Sequence, residues 1–229
     1  MGDRIRNSAL VERLYPHRFG LFLLSLLFIL FGGLFMPDRV YEELFLPVVN
    51  VVNLVAGMLL IIRHKKLFHL FLVLLILLTG TSLFNLFGLG EGRLNHLLNM
   101  AVLLPFYSIV TFQIIRQVLT MENVQLSTLL GLISGYICLG LIGALLCLII
   151  EMFSPGSFSG ISPSNGILPN VDDIVYYTYI TLLTIGYGEI VPVGDTARKV
   201  SLLIGLSGQF YMVIITAVVV SKYMAQKNS

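Results

Sequence analysis

Six long uncharged apolar runs dominate the chain, at positions 19–36, 44–62, 67–87, 94–115, 126–150 and 200–220. Each is near or above the roughly 20 residues that a helix needs to cross a hydrocarbon core. A seventh apolar piece, 174–185, is too short to span and reads as re-entrant. The first run is longer than the apolar core of a signal peptide. The Met36-Pro37-Asp38-Arg39-Val40 segment after it has no small-residue cleavage pattern, so the run is kept as a helix. The pattern predicts an all-α membrane protein with six transmembrane helices, plus one re-entrant helix leading into an extended segment.

Charge orients these spans. With the N-terminus in the cytoplasm, the inside collects Arg4, Arg6, Arg13, Arg18, Arg63, Lys65, Lys66, Arg116, Lys222 and Lys227. Only Arg39, Arg93, Arg198 and Lys199 fall outside, as the positive-inside rule expects, and both termini come out cytoplasmic. Acidic residues divide the other way. Asp3, Glu12 and Glu122 lie inside, and the other nine lie outside, where their field concentrates cations. Composition agrees: 57% of the 229 residues are hydrophobic and 11% charged. An average soluble domain carries about 25% charged residues, so a soluble enzyme is excluded. Cys138 and Cys147 share one apolar run, with no ligand cluster around them, and read as reduced core residues.

The chemistry concentrates between the fifth and sixth runs. Positions 154–170 are rich in Ser, Gly and Pro and read as an exposed external turret. Asn170 with Asp173 three residues on is a helix-start signature, and Asp172 and Asp173 suit the positive end of a helix dipole. A short helix over 172–183 would then enter from outside and stop midway, its negative end aimed at the bilayer centre. Thr184-Ile185-Gly186-Tyr187-Gly188-Glu189 follows it. Non-helical backbone at that depth must line a cavity or be buried in protein. Gly186 and Gly188 take positive φ at low cost, which lets successive carbonyls turn to one side. Four such segments around an axis would stack rings of neutral oxygens, suited to a cation that dehydrates readily: potassium rather than magnesium or calcium.

Thr181-Leu182-Leu183-Thr184-Ile185-Gly186-Tyr187-Gly188-Glu189 resembles the signature of the tetrameric potassium channels, T-x-x-T-x-G-Y-G-D/E. The resemblance covers the pore helix, selectivity filter and inner helix. It implies a homotetramer in the plasma or bacterial inner membrane, in contact with lipid, with no nucleic-acid partner and no cofactor beyond permeant K+. By position, the carbonyls of Thr184, Ile185, Gly186 and Tyr187 would ligate K+, Gly188 would close the filter, and the Thr184 hydroxyl would form the innermost ring. Tyr176 and Tyr177 stand where the family often has tryptophans and would pack around Tyr187. Thr181, Glu189 and Asp195 would support the filter and its outer mouth, and Gly205 or Gly208 would be the inner-helix hinge. Ile180 stands where some relatives have a carboxylate, and Glu189 replaces the commoner aspartate.

The implied organisation is a cytoplasmic segment over 1–18, a four-helix sensor-like domain over 19–120 and a pore domain over 121–229. The fourth run contains no arginine, and Arg116 only ends it. Steep voltage gating needs charges worth about 2.3 kcal/mol each per 100 mV, so it is not expected. Phe87-Gly88-Leu89-Gly90-Glu91 lacks threonines at Leu83 and Leu86 and reads as a helix stop rather than a second filter. Asn50 and Asn53 read as interhelical hydrogen-bonding groups, and Gly131 with Gly135 as a packing face. His17, His64, His69 and His96 fall near membrane edges and read as snorkelling or solvated side chains. Gln209, Thr216 and Ser221 on the last run fit either the lining of an inner cavity or polar packing between helices. A weakly selective cation pore and a non-conducting subunit are the alternatives within channels. Intramembrane aspartyl proteolysis is set aside, because no span contains an aspartate.

Overall fold

A computed structural model of the chain describes residues 9–37, 40–41, 45–62, 64–86, 92–121, 125–163 and 168–227. Helix α1 (Ala9–Leu14) passes through a 3-10 turn at Tyr15–His17, shaped by Pro16, into α2 (Arg18–Phe31). Then come α3 (Leu46–Ile61), α4 (Lys65–Leu86), α5 (Arg93–Thr120) and α6 (Leu126–Phe153). Strand β1 (Phe158–Ser159), helix α7 (Val171–Leu182), strand β2 (Val191–Pro192) and helix α8 (Asp195–Lys227) complete the described chain.

Five helical stretches among the described residues are long and apolar enough to cross a membrane: Glu12–Phe35, Lys65–Ser82, Arg93–Thr120, Leu126–Phe153 and Asp195–Lys227. The second expected span is the exception. Helix α3 has 16 residues, with Pro47 in its first turn. At 1.5 Å per residue it covers about 24 Å, short of a core roughly 30 Å thick. Phe87-Gly88-Leu89-Gly90-Glu91 lies outside the described residues, as does part of the turret (164–167).

The chain divides into two compact units, Met1–Glu91 with Ile109–Gly135, and Gly92–Ser108 with Tyr136–Ser229. In the first, α2 turns Phe19, Phe22 and Leu26 inward, all fully buried. Asn53 Nδ2 donates to Ser25 Oγ at 2.8 Å, and Ser25 donates in turn to the Phe22 carbonyl. In lipid, where water cannot satisfy an amide, this is the interhelical bond expected of Asn53. Gln117 Nε2 ties α5 to the Leu60 carbonyl at 2.8 Å. Gly131 is a packing glycine, because a Cβ there would lie 2.8 Å from the Phe19 ring.

In the second unit, α7 lies against α6. Gly143 admits it, since a Cβ at that position would stand 2.6 Å from Thr178 Cγ2; at Gly140 a Cβ would overlap the Tyr179 ring. The Tyr179 hydroxyl donates to the Ile137 carbonyl at 2.7 Å across the same seam. Cys138 and Cys147 are buried and form no disulfide among the described residues.

Candidate ion-conduction site

The site begins at the N-terminus of α7. The Asn170 side chain accepts from the Asp173 amide at 3.1 Å, and Asp172 and Asp173 occupy the first turn. This is the predicted cap, with helix bounds one residue earlier than the 172–183 read from sequence. At the other end the chain turns back on the helix. The Leu183 amide donates to the Tyr179 carbonyl at 2.9 Å and the Thr184 amide to Thr181 at 3.1 Å. The amides of Ile185 and Gly186 both reach the Ile180 carbonyl, at 2.8 and 3.2 Å. Four successive amides thus satisfy the last carbonyls of α7, which a helix end otherwise leaves unpaired.

With its amides engaged on one side, the segment alternates in hand. Thr184, Gly186 and Gly188 have φ of +59°, +57° and +95°, while Ile185 and Tyr187 keep negative φ. Alternation of this kind brings successive carbonyls toward a common side. Thr184 is the only non-glycine residue with positive φ among the described residues. A β-branched residue held there costs on the order of 1–3 kcal/mol, and such strain concentrates at functional sites. Among the described residues no backbone amide donates to the carbonyls of Thr184, Ile185, Gly186 or Tyr187. Positions 183–189 are all exposed in the single chain, Tyr187 at 72%.

The supporting residues take distinct positions. The Glu189 carboxylate beside the Tyr176 hydroxyl holds the phenol's pKa up at about 12. Tyr176 therefore lies beside Glu189, the residue after Gly188. Tyr177 turns the other way: its hydroxyl meets Ser201 Oγ at 2.5 Å, and its ring lies 5.1 Å from that of Phe158. Neighbouring helix positions point about 100° apart, and within the chain Tyr177 braces α7 against α8. Thr181 Oγ1 donates to the Tyr177 carbonyl at 2.8 Å, and Thr184 Oγ1 to Leu183 at 2.7 Å. Asp195 opens α8 in its first turn, at the positive end of the dipole.

The two inner-helix glycines differ. At Gly208 a Cβ would stand 2.5 Å from the Leu182 carbonyl oxygen, so its bare Cα lets α8 meet the end of α7. Nothing lies within 4 Å of the same construction at Gly205. Helix α8 runs unbroken through both.

Four contributors escaped the sequence reading. Tyr136 donates its hydroxyl to the Leu182 carbonyl at 3.1 Å. Glu151, Phe158 and Gly160 build a turret that is anchored rather than free. Phe158 is 3% exposed, and β1 pairs antiparallel with β2, which starts three residues beyond Gly188. A lone aromatic in a Ser/Gly/Pro-rich stretch was the only sequence signal.

Residues 148–225, from the end of α6 through α8, match the model of a protein family described as "ion channel". No curated protein and no solved structure matches the chain. The apolar helices and the matched segment together describe a multi-pass membrane protein whose residues 148–225 are similar to an ion-channel family.

Proposed function

We propose that the protein is a potassium-selective channel in which four copies of Thr184–Gly188 surround one axis. The observation that carries this reading is the alternation of φ at Thr184, Gly186 and Gly188 directly after a half-length helix. Carbonyls turned to one side by that alternation, and engaged by no described amide, are ligands in search of a cation. Four chains would stack them as rings that replace a potassium ion's water, and repulsion between ions in neighbouring rings would drive conduction. The same assembly gives the 183–189 surface its neighbours, since Ile185 and Tyr187 would otherwise leave large apolar groups uncovered.

The cation would approach through an outer mouth rimmed by Glu189 and the other external acids, with both chain termini in the cytoplasm. The first four helices would form a domain without gating charges, so opening would depend only weakly on voltage. Potassium flux into liposomes tests the filter assignment. Gly186→Ala and Gly188→Ala should each abolish selective flux, because alanine at positive φ is strained whatever the free space. Unaltered potassium selectivity in both variants would sink the assignment.

A further inference from the structure

We infer that the turret strand is a positioning element for the outer end of the filter, with Glu151, Phe158 and Gly160 as its positioning residues; this rests on the reading of 184–188 as a filter. The inner part of that segment is fixed by α7, whose carbonyls accept the amides of residues 183–186. The outer flank has a different holder. The Glu151 carboxylate, near the end of α6, accepts from the amides of Gly156 at 2.6 Å and Phe158 at 3.1 Å, closing a turn. That turn presents the Ser157 carbonyl to the amides of Val193 at 2.8 Å and Gly194 at 3.1 Å. It also lays Phe158 and Ser159 opposite Pro192 and Val191.

Two side-chain facts make this a clamp. The Phe158 ring is buried against Tyr177, so the turret strand is anchored on the helix that precedes the filter. Gly160 has φ +91°, and a Cβ there would overlap the Glu189 carbonyl oxygen and stand 3.0 Å from the Glu189 carbonyl carbon. Glu189 directly follows Gly188. The backbone of Gly160 therefore bears on the first residue beyond the filter, where no side chain fits.

Among the described residues no backbone hydrogen bond engages Tyr187 or Gly188, so the outer half of a filter held at both ends is set by this clamp. Cations bind the open arrangement of the rings and not a collapsed one, so added potassium offsets a loosened clamp by mass action. An ordinary folding defect would not respond in that way.

The experiment uses the full chain, purified as a tetramer and recorded in planar bilayers at low and high external potassium. Gly160→Ala, with Glu151→Gln as the milder variant, should assemble normally. At low potassium the current should decay at least about tenfold faster than in the parent, the factor that ordinary overpacking strain yields. High external potassium should restore it within seconds on the same membrane. Should Gly160→Ala fail to assemble, Glu151→Gln alone decides. Parent-like decay at low potassium, or a loss that potassium does not restore in an assembled tetramer, would overturn the clamp. A parent protein without potassium-selective current would overturn the filter reading itself.

Discussion

An alanine at Gly208 would place its Cβ 2.5 Å from the Leu182 carbonyl oxygen and 2.9 Å from Leu182 Cδ1. Ordinary contact starts near 3.5 Å, so α8 would have to withdraw from α7 by about 1 Å. The oxygen cannot easily move, because it terminates α7 and already accepts the Tyr136 hydroxyl at 3.1 Å. Overpacking of this kind costs about 1–3 kcal/mol per chain. Alanine at Gly205 meets nothing within 4 Å. There it should stabilise the helix by up to about 1 kcal/mol per chain, because glycine is the weaker helix former. Thermal dissociation of the purified oligomer and potassium flux in liposomes read both effects. Gly208→Ala should lower the dissociation temperature and depress flux, while Gly205→Ala should raise or preserve the former and leave flux within about twofold. The reverse order, flux lost with Gly205→Ala and retained with Gly208→Ala, would refute the packing argument and favour a bend at Gly205.

Other outcomes follow from the same geometry. Asn170→Ala removes the cap on the Asp173 amide and should cost about 1 kcal/mol per chain, read as a lower dissociation temperature, with Asn170→Ser recovering most of it. The Tyr176 phenol is held up at about 12 by its bond to Glu189 and the charge of that carboxylate. A raised pKa stabilises the protonated form, so the Tyr176–Glu189 contact is fully present below the ordinary tyrosine value near 10 and lost as pH climbs through about 12. Phenolate absorbance compared with Tyr176→Phe should show one late-titrating tyrosine missing; titration of that group at the ordinary value would contradict the contact.

Much of the site was legible because it breaks lipid rules. A run too short to span, an Asn–Asp start and two spaced glycines predicted a half helix followed by non-helical backbone, and the described structure has both. The positive φ at Thr184 was not legible, since nothing in a threonine announces a left-handed backbone. It arises because the amides of Thr184, Ile185 and Gly186 must return to carbonyls of α7. The turret strand was invisible for another reason: two residues show no alternation, and their pairing depends on the distant Val191 and Pro192. The Tyr177 contact with Ser201 likewise needs α8 in place. Helix α3 shows the limit of run-length counting, because a run read over 44–62 is described as an α-helix only over Leu46–Ile61.

Potassium selectivity is the central claim, and the reversal potential of the purified protein in planar bilayers measures it most directly. With potassium on one side and sodium on the other, the current should reverse far toward the potassium equilibrium potential, and Gly188→Ala should abolish that preference. Reversal near zero in the parent protein, with sodium carried as readily as potassium, would contradict the account.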